Sequence, residues 1–255
     1  MHSARPIATL PVSAGAINLE PLSCSYWLPA HVFACWQTTA VLLDLKRNRY
    51  FGLPLRESAE LMRLLHRGGA VIDDNPSDGS QTLAHDLLES GLLVRESPTT
   101  RITPATVHLD GELTSFGYER RRHVAVRSHH LANHARAYVW ARFAVSLRSF
   151  YSVACEVSNR KHATSHAGTI TNTEQLLELV SVFQELRALT FTSKDKCLFH
   201  ALALTRFLSL YDVFPTWALG VCTTPWAAHS WVQHGNLLLD ATPEQVVNFT
   251  PILCI

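Results

Sequence analysis

Apolar and polar positions follow two different rhythms in the first part of the chain. Between His31 and Leu53 the apolar residues come in short β-branched and aromatic runs, at 31–36, 39–45 and 49–53, and these predict three short strands. The cluster Lys46-Arg47-Asn48-Arg49 marks a turn between the second and third. From Leu55 the rhythm lengthens. Leu55, Ala59, Met62 and Leu65 recur at spacings of three and four, which predicts an amphipathic helix ended by Gly68 and Gly69. A second helical pattern runs over 81–89 and closes at Gly91, and 92–94 reads as another extended run. Three strands followed by helices suit a compact winged-helix-like module over residues 1–95.

The stretch 96–117 contains Ser97, Pro98, Thr99, Thr100, Pro104 and Gly111 and has little periodicity, so it reads as a linker. A second domain is then expected over 118–255. Arg120, Arg121, Arg122 and His123 read as a solvated helix start, and 124–151 has helical character throughout. Another helix is predicted over 173–189, where Leu176, Leu177, Val180, Phe183, Leu186 and Leu189 keep one apolar face, with Asn172 or Thr173 as its cap.

Candidate chemistry concentrates between Ser193 and Asp240. From Cys197 to Leu208 the pattern is helical and apolar almost all round, as in a buried helix. Ser193 or Asp195 can cap it, which places Cys197 in or beside the first turn. There the free N–H groups and the positive helix end favour a thiolate, the nucleophilic form of cysteine. Residues 216–222 read as a strand. In the next run His229, Trp231 and Gln233 alternate onto one face, and a hairpin then leads to Leu237-Leu238-Leu239-Asp240. A two-residue turn at His234-Gly235 would set Asp240 directly opposite His229. A turn at Gly235-Asn236 would set Thr242 there and leave Asp240 as a diagonal neighbour on the same face. Either way a carboxylate comes within reach of the imidazole, where it can fix the tautomer and favour the charged form.

The order Cys197, His229, Asp240 follows the papain and transglutaminase arrangement. With Ala228-His229-Ser230-Trp231-Val232, and with Asp240 lying 11 residues after His229, the segment resembles the transglutaminase-like leader peptidase of lasso-peptide biosynthesis, the B protein of such clusters. Phe249-Thr250-Pro251-Ile252-Leu253 is similar to the tails of that family. Ser230 and Gln233 depart from its pattern, which often has Ala and Glu at those places. In the first half, Ala40–Leu45 followed by Arg49–Leu53 resembles the leader-recognition element of peptide-modifying enzymes, the fold of the small pyrroloquinoline-quinone biosynthesis chaperone.

The resemblance implies an α+β protein with an N-terminal winged-helix-like module and a C-terminal papain/transglutaminase-like cysteine peptidase domain. Its implied catalytic residues are Cys197, His229 and Asp240. The leader of the precursor would add a strand at Arg49, Tyr50, Phe51 and Leu53 and pack near Leu83 and Leu87. The released core would pass to an ATP-dependent, asparagine-synthetase-like macrolactam cyclase. No cofactor is expected for the peptidase itself. Another thioester-forming acyltransferase on the same scaffold, or a catalytically silent leader-binding scaffold, are the alternatives.

Composition narrows the rest. The 22 basic and 21 acidic residues give a formal charge of +1, so no nucleic-acid partner is expected. Neither a secretory signal nor a run of membrane-spanning length is evident, which makes a cytoplasmic location the expectation. The six cysteines are widely and irregularly spaced and include no CxxC pair, which argues against both a disulfide framework and a structural zinc site. His130 and His134 form an i, i+4 pair without a nearby third ligand, so no metal is expected there. His200, one turn past Cys197, is the best rival base. Gln184 and Gln233 are oxyanion candidates by residue type alone.

Overall fold

A computed structural model describes residues 26–66, 78–99, 102, 104–107, 109, 112–117, 124–165, 173–190 and 197–255. Gly68, Gly69, Arg120–His123, Asn172, Ser193 and Asp195 lie outside the described residues. The chain is α+β and divides into two compact units, Met1–Arg101 and Ile102–Ile255.

The first unit opens with an antiparallel meander of β1 (Val32–Trp36), β2 (Ala40–Asp44) and β3 (Arg49–Gly52), with β2 in the centre. All five residues of β2 are buried, which accounts for its unbroken apolar run. The β2–β3 turn forms where the polar cluster predicts it. The Asp44 carboxylate accepts the N–H groups of Lys46 and Arg47, and Asn48 takes the left-handed conformation at φ 51°.

Helix α1 (Leu55–His66) forms as predicted but turns a different face inward. Ser58, Leu61 and Leu64 are buried, whereas Leu55 and Met62 stand 67% and 39% exposed. The deciding residue is Ser58. Its hydroxyl accepts the buried N–H of Ala40 at 2.8 Å and lies 2.8 Å from the Pro54 carbonyl, an anchorage that apolar periodicity does not reveal. Replacing Ser58 with Ala leaves the Ala40 N–H unsatisfied and should cost about 1.5 kcal/mol, read as a lower urea midpoint.

Helix α2 (Asp78–Glu89) ends where Gly91 adopts φ 71° and Leu92 donates back to the Leu87 carbonyl. The run 92–94 is not a strand, since Val94 makes only a single bridge to Trp27. Leu83 and Leu87, expected to touch a leader, are 8% and 5% exposed in the core with Leu42, Leu61 and Leu93. Their apolar side chains are buried in that cluster, which anchors α2.

In the second unit the strands are β4 (Thr114–Ser115), β5 (Thr216–Thr223), β6 (Trp226–His234), β7 (Leu237–Leu238) and β8 (Thr250–Cys254). They form one sheet in the order β4-β7-β6-β5-β8, antiparallel apart from the β4–β7 pair. The helices are α3 (Ser128–Leu147), α4 (Phe150–Ser165), α5 (Thr173–Thr190), α6 (Cys197–Ser209) and the short α7 (Pro243–Val246). Helix α6 packs between α3 and α5 on one side and β5 and β6 on the other, which is why it is apolar all round.

Two expectations change here. The helical stretch 124–151 breaks at Arg148-Ser149, where the Ser149 hydroxyl accepts the N–H of Ser152 and starts α4. The supposed linker 96–117 belongs largely to the second unit. Ile102 is fully buried, Val107, Leu109 and Leu113 pack on the sheet core, and β4 pairs with β7. Its prolines and glycine drew attention away from apolar anchors that are spaced too irregularly to show as a period. Among the described residues no helix is long and apolar enough to cross a membrane.

Candidate active site

Cys197 is the first residue of α6 and is half-buried. A thiolate in the first turn of a helix is stabilised by the positive end of the dipole and by N–H groups without a helical partner. Cys197, Cys35, Cys155, Cys222 and Cys254 are free thiols. Burial pushes Cys35 and Cys254 up to about 12, which makes them poor nucleophiles. Cys222 is half-buried near the end of β5 and donates its S–H to the Thr224 carbonyl.

His229 sits on β6, directly opposite Gly220 of β5. Alternation puts it on the same face as Trp231, and the two rings stack with centroids 6.0 Å apart and planes 17° from parallel. The Phe249 ring lies 5.4 Å away, so the imidazole is wedged between two aromatics. Gly220 makes that wedge possible, because a Cβ there would lie 2.8 Å from the Trp231 ring and 2.9 Å from Cβ of Phe249. The Nε2 of His229 is buried and has no hydrogen-bond partner among the described residues. Burial lowers its pKa, so the ring is neutral at neutral pH, the form a general base needs.

The hairpin turns at Gly235-Asn236, the second of the two registers allowed by the sequence, with His234 paired to Leu237 and Gln233 to Leu238. Strand β7 stops at Leu238, and Asp240 lies beyond its end. Its Oδ1 accepts the Val232 N–H at 2.7 Å, and no hydrogen bond or ion pair joins it to His229 among the described residues. The expected direct opposition of carboxylate and imidazole is therefore not the arrangement formed. Backbone N–H capture prevails because the chain leaves the ladder two residues before Asp240. Burial pushes the Asp240 carboxyl up to about 7, against the opposing influence of the Val232 N–H and the positive charge of Arg187.

A carboxyl raised in this way lends stability that is fully present below its ordinary 3.8 and is lost as pH rises through about 7. Asp240→Asn keeps an oxygen for Val232 and removes the titration. Its unfolding midpoint should therefore gain on the native chain as pH rises from 4 to 7, and midpoints moving in parallel across that range would contradict the assignment.

The other candidates are accounted for by their contacts. Gln233 uses both ends of its amide, accepting the Trp231 indole N–H at 2.6 Å and donating to the Gly235 carbonyl at 2.9 Å, so it is not an oxyanion donor. Ser230 accepts the Trp217 indole N–H at 2.8 Å on the opposite face. The two departures from the family pattern each satisfy a buried tryptophan. His130 accepts the Arg127 N–H at the start of α3, and His134 packs against Phe183 and Phe207. Buried His200 stays on α6 beside Phe199.

Two α5 residues complete the surroundings. Gln184 donates to the Leu239 carbonyl at 3.5 Å, and Arg187 donates to Gln184 at 3.2 Å. Arg187 was not singled out by sequence. Its only trace there is an i, i+3 spacing from Gln184 on the flank of an apolar helix.

No curated protein and no solved structure matches the chain. One family profile does match, from His134 in α3 to Cys254 in β8, and so covers Cys197, His229 and Asp240. Residues 134–254 are a domain of the transglutaminase-like superfamily.

Proposed function

We propose that the chain is a cysteine peptidase that removes the leader from a ribosomally made lasso-peptide precursor. The observation that carries this reading is the placement of a cysteine at the tip of buried α6, which packs on the strand holding a neutral imidazole with a buried, unpartnered nitrogen. In the proposed reaction the Cys197 sulfur attacks the carbonyl at the leader–core boundary. His229 takes the thiol proton and returns it to the departing amine. Water, deprotonated by the same imidazole, then hydrolyses the thioester. Asp240 is the proposed third member of the triad; its carboxyl is held at the Val232 N–H of β6, so it would act on His229 only after letting go of that bond. The reaction needs no cofactor.

The precursor's leader would dock as an added strand on the free edge of β3, along Arg49, Tyr50, Phe51 and Leu53. Among the described residues no further strand pairs with that edge, and Arg49 and Gly52 are exposed on it. The freed core would then pass to an ATP-dependent, asparagine-synthetase-like cyclase that closes the macrolactam. The superfamily match suits an acyltransferase equally well, because both reactions pass through a thioester. Product mass separates them. Purified protein and precursor should give two fragments whose masses sum to the precursor plus one water. Joining to an added amine, with no water gained, would replace the peptidase reading.

A further inference from the structure

Helix α3 is apolar on both sides, a composition that normally marks a helix enclosed all round. One side is enclosed. His130, His134, Ala137, Ala141 and Ala144 are buried, and His134 meets Phe207 of α6. The other side is not. Leu131, Val139, Phe143 and Leu147 are each 50% to 75% exposed, and Ala135 is exposed between the first two. These five residues recur at intervals of four, so they form one continuous ridge along the helix. Arg136 lies three residues before Val139 and Arg142 three after it, which sets one guanidinium on each flank of the ridge.

Both arginines are exposed, and among the described residues neither enters an ion pair; Arg142 donates only to the Ser146 hydroxyl. Helix α3 contains no acidic residue. On the neighbouring helices, Glu156 of α4 holds Trp140, Arg148 and Arg160, and the charge of Glu178 of α5 acts on buried His130. The ridge therefore presents apolar surface between two positive charges.

That pattern selects among occupants. A second copy crossing antiparallel at Val139 would bring Arg136 of each chain beside Arg142 of the other, with no carboxylate on either helix, so the face is not self-complementary. A lipid surface is served by larger basic clusters and does not read relief. Here Ala135 leaves a recess and Phe143 stands out as a knob, the relief that another helix fits. We propose that the outer face of α3 docks an amphipathic helix of a partner protein, apolar along one ridge and acidic on both flanks. Its carboxylates meet Arg136 and Arg142, and its apolar ridge covers Val139 and Phe143.

Fluorescence anisotropy of the full chain with a labelled synthetic helix tests this. The peptide has about twenty residues, with leucine along one ridge and glutamate on both flanks, and its twin has lysine in place of each glutamate. The glutamate peptide should bind saturably, and the lysine twin at least about tenfold more weakly. Phe143→Ser should weaken the glutamate peptide about tenfold. Arg136→Glu combined with Arg142→Glu should transfer the preference to the lysine twin. All three positions are exposed, so circular dichroism should show both variants folded. No saturable binding, equal affinity for the two peptides, or affinities unchanged in the folded variants overturns the proposal. Flotation with phosphatidylglycerol vesicles that Phe143→Ser abolishes would overturn it in favour of a membrane. A dimer in sedimentation velocity that the same variant splits would overturn it in favour of a second copy.

Discussion

Cys197→Ala should yield a folded protein that still binds the leader but cleaves it off roughly a millionfold more slowly, the scale for loss of a triad nucleophile. The side chain is half-buried at the first position of α6, and alanine is the best helix former, so the fold should be kept. Chemistry is lost because no other described thiol combines a helix tip with a neighbouring strand that carries an unpartnered imidazole. Cys35 and Cys254, pushed up to about 12, cannot substitute. Two measurements check this. Mass spectrometry of the precursor after incubation reports cleavage, and fluorescence anisotropy of a labelled leader reports binding. Intact-mass analysis of the native enzyme, quenched early, should also show the acyl adduct, and the alanine variant should not. Persistent cleavage by Cys197→Ala would remove the sulfur from the reaction and leave a different residue to be found.

Gly220→Ala should lower both stability and activity, although residue 220 touches no substrate in the proposed reaction. The added methyl would fall 2.8 Å from one carbon of the Trp231 ring, and 2.9 Å from another and from the Cβ of Phe249. Neither neighbour can easily give way. Trp231 is fully buried with its N–H held by Gln233, and a Cβ moves only with its backbone. Overpacking of this kind costs about 2–3 kcal/mol. The same two aromatics wedge His229, so displacing them turns the imidazole away from its position. The variant should unfold at lower urea and cleave more slowly, with leader affinity unchanged because that edge belongs to the other unit. Native-like values for both midpoint and rate would mean that the aromatic wedge does not set the ring.

Much of this architecture can be read from residue order, for identifiable reasons. The strands β1 to β3 form within a residue or so of their apolar runs, because each is short and the Lys46–Arg49 cluster forces the turn. The buried helix from Cys197 onward and the shared face of His229 and Trp231 also follow from simple periodicity. Periodicity failed where one polar anchor outweighed several apolar residues. Ser58 rotates α1 away from the stripe of Leu55 and Met62, and the Ser149 hydroxyl divides one apparent helix into two. It failed again at Asp240, where a backbone N–H competes for the carboxylate, a partner carried by every residue and therefore invisible in a side-chain pattern. Gly220 is the part of the site that periodicity does not mark. It is an ordinary strand residue by position, and only the packing around it shows that nothing larger fits.

The pairing of Thr114 and Ser115 with β7 bears on how this protein can be cut. A fragment trimmed at Tyr118, where composition changes, would strip away the strand sealing the outer side of β7 and leave the Asn236 and Leu238 carbonyls without the N–H groups of Thr114 and Phe116. Such a fragment should pair edge to edge with its own kind and precipitate. One starting at Ile102 carries its own seal, and that is where a severed second unit should begin.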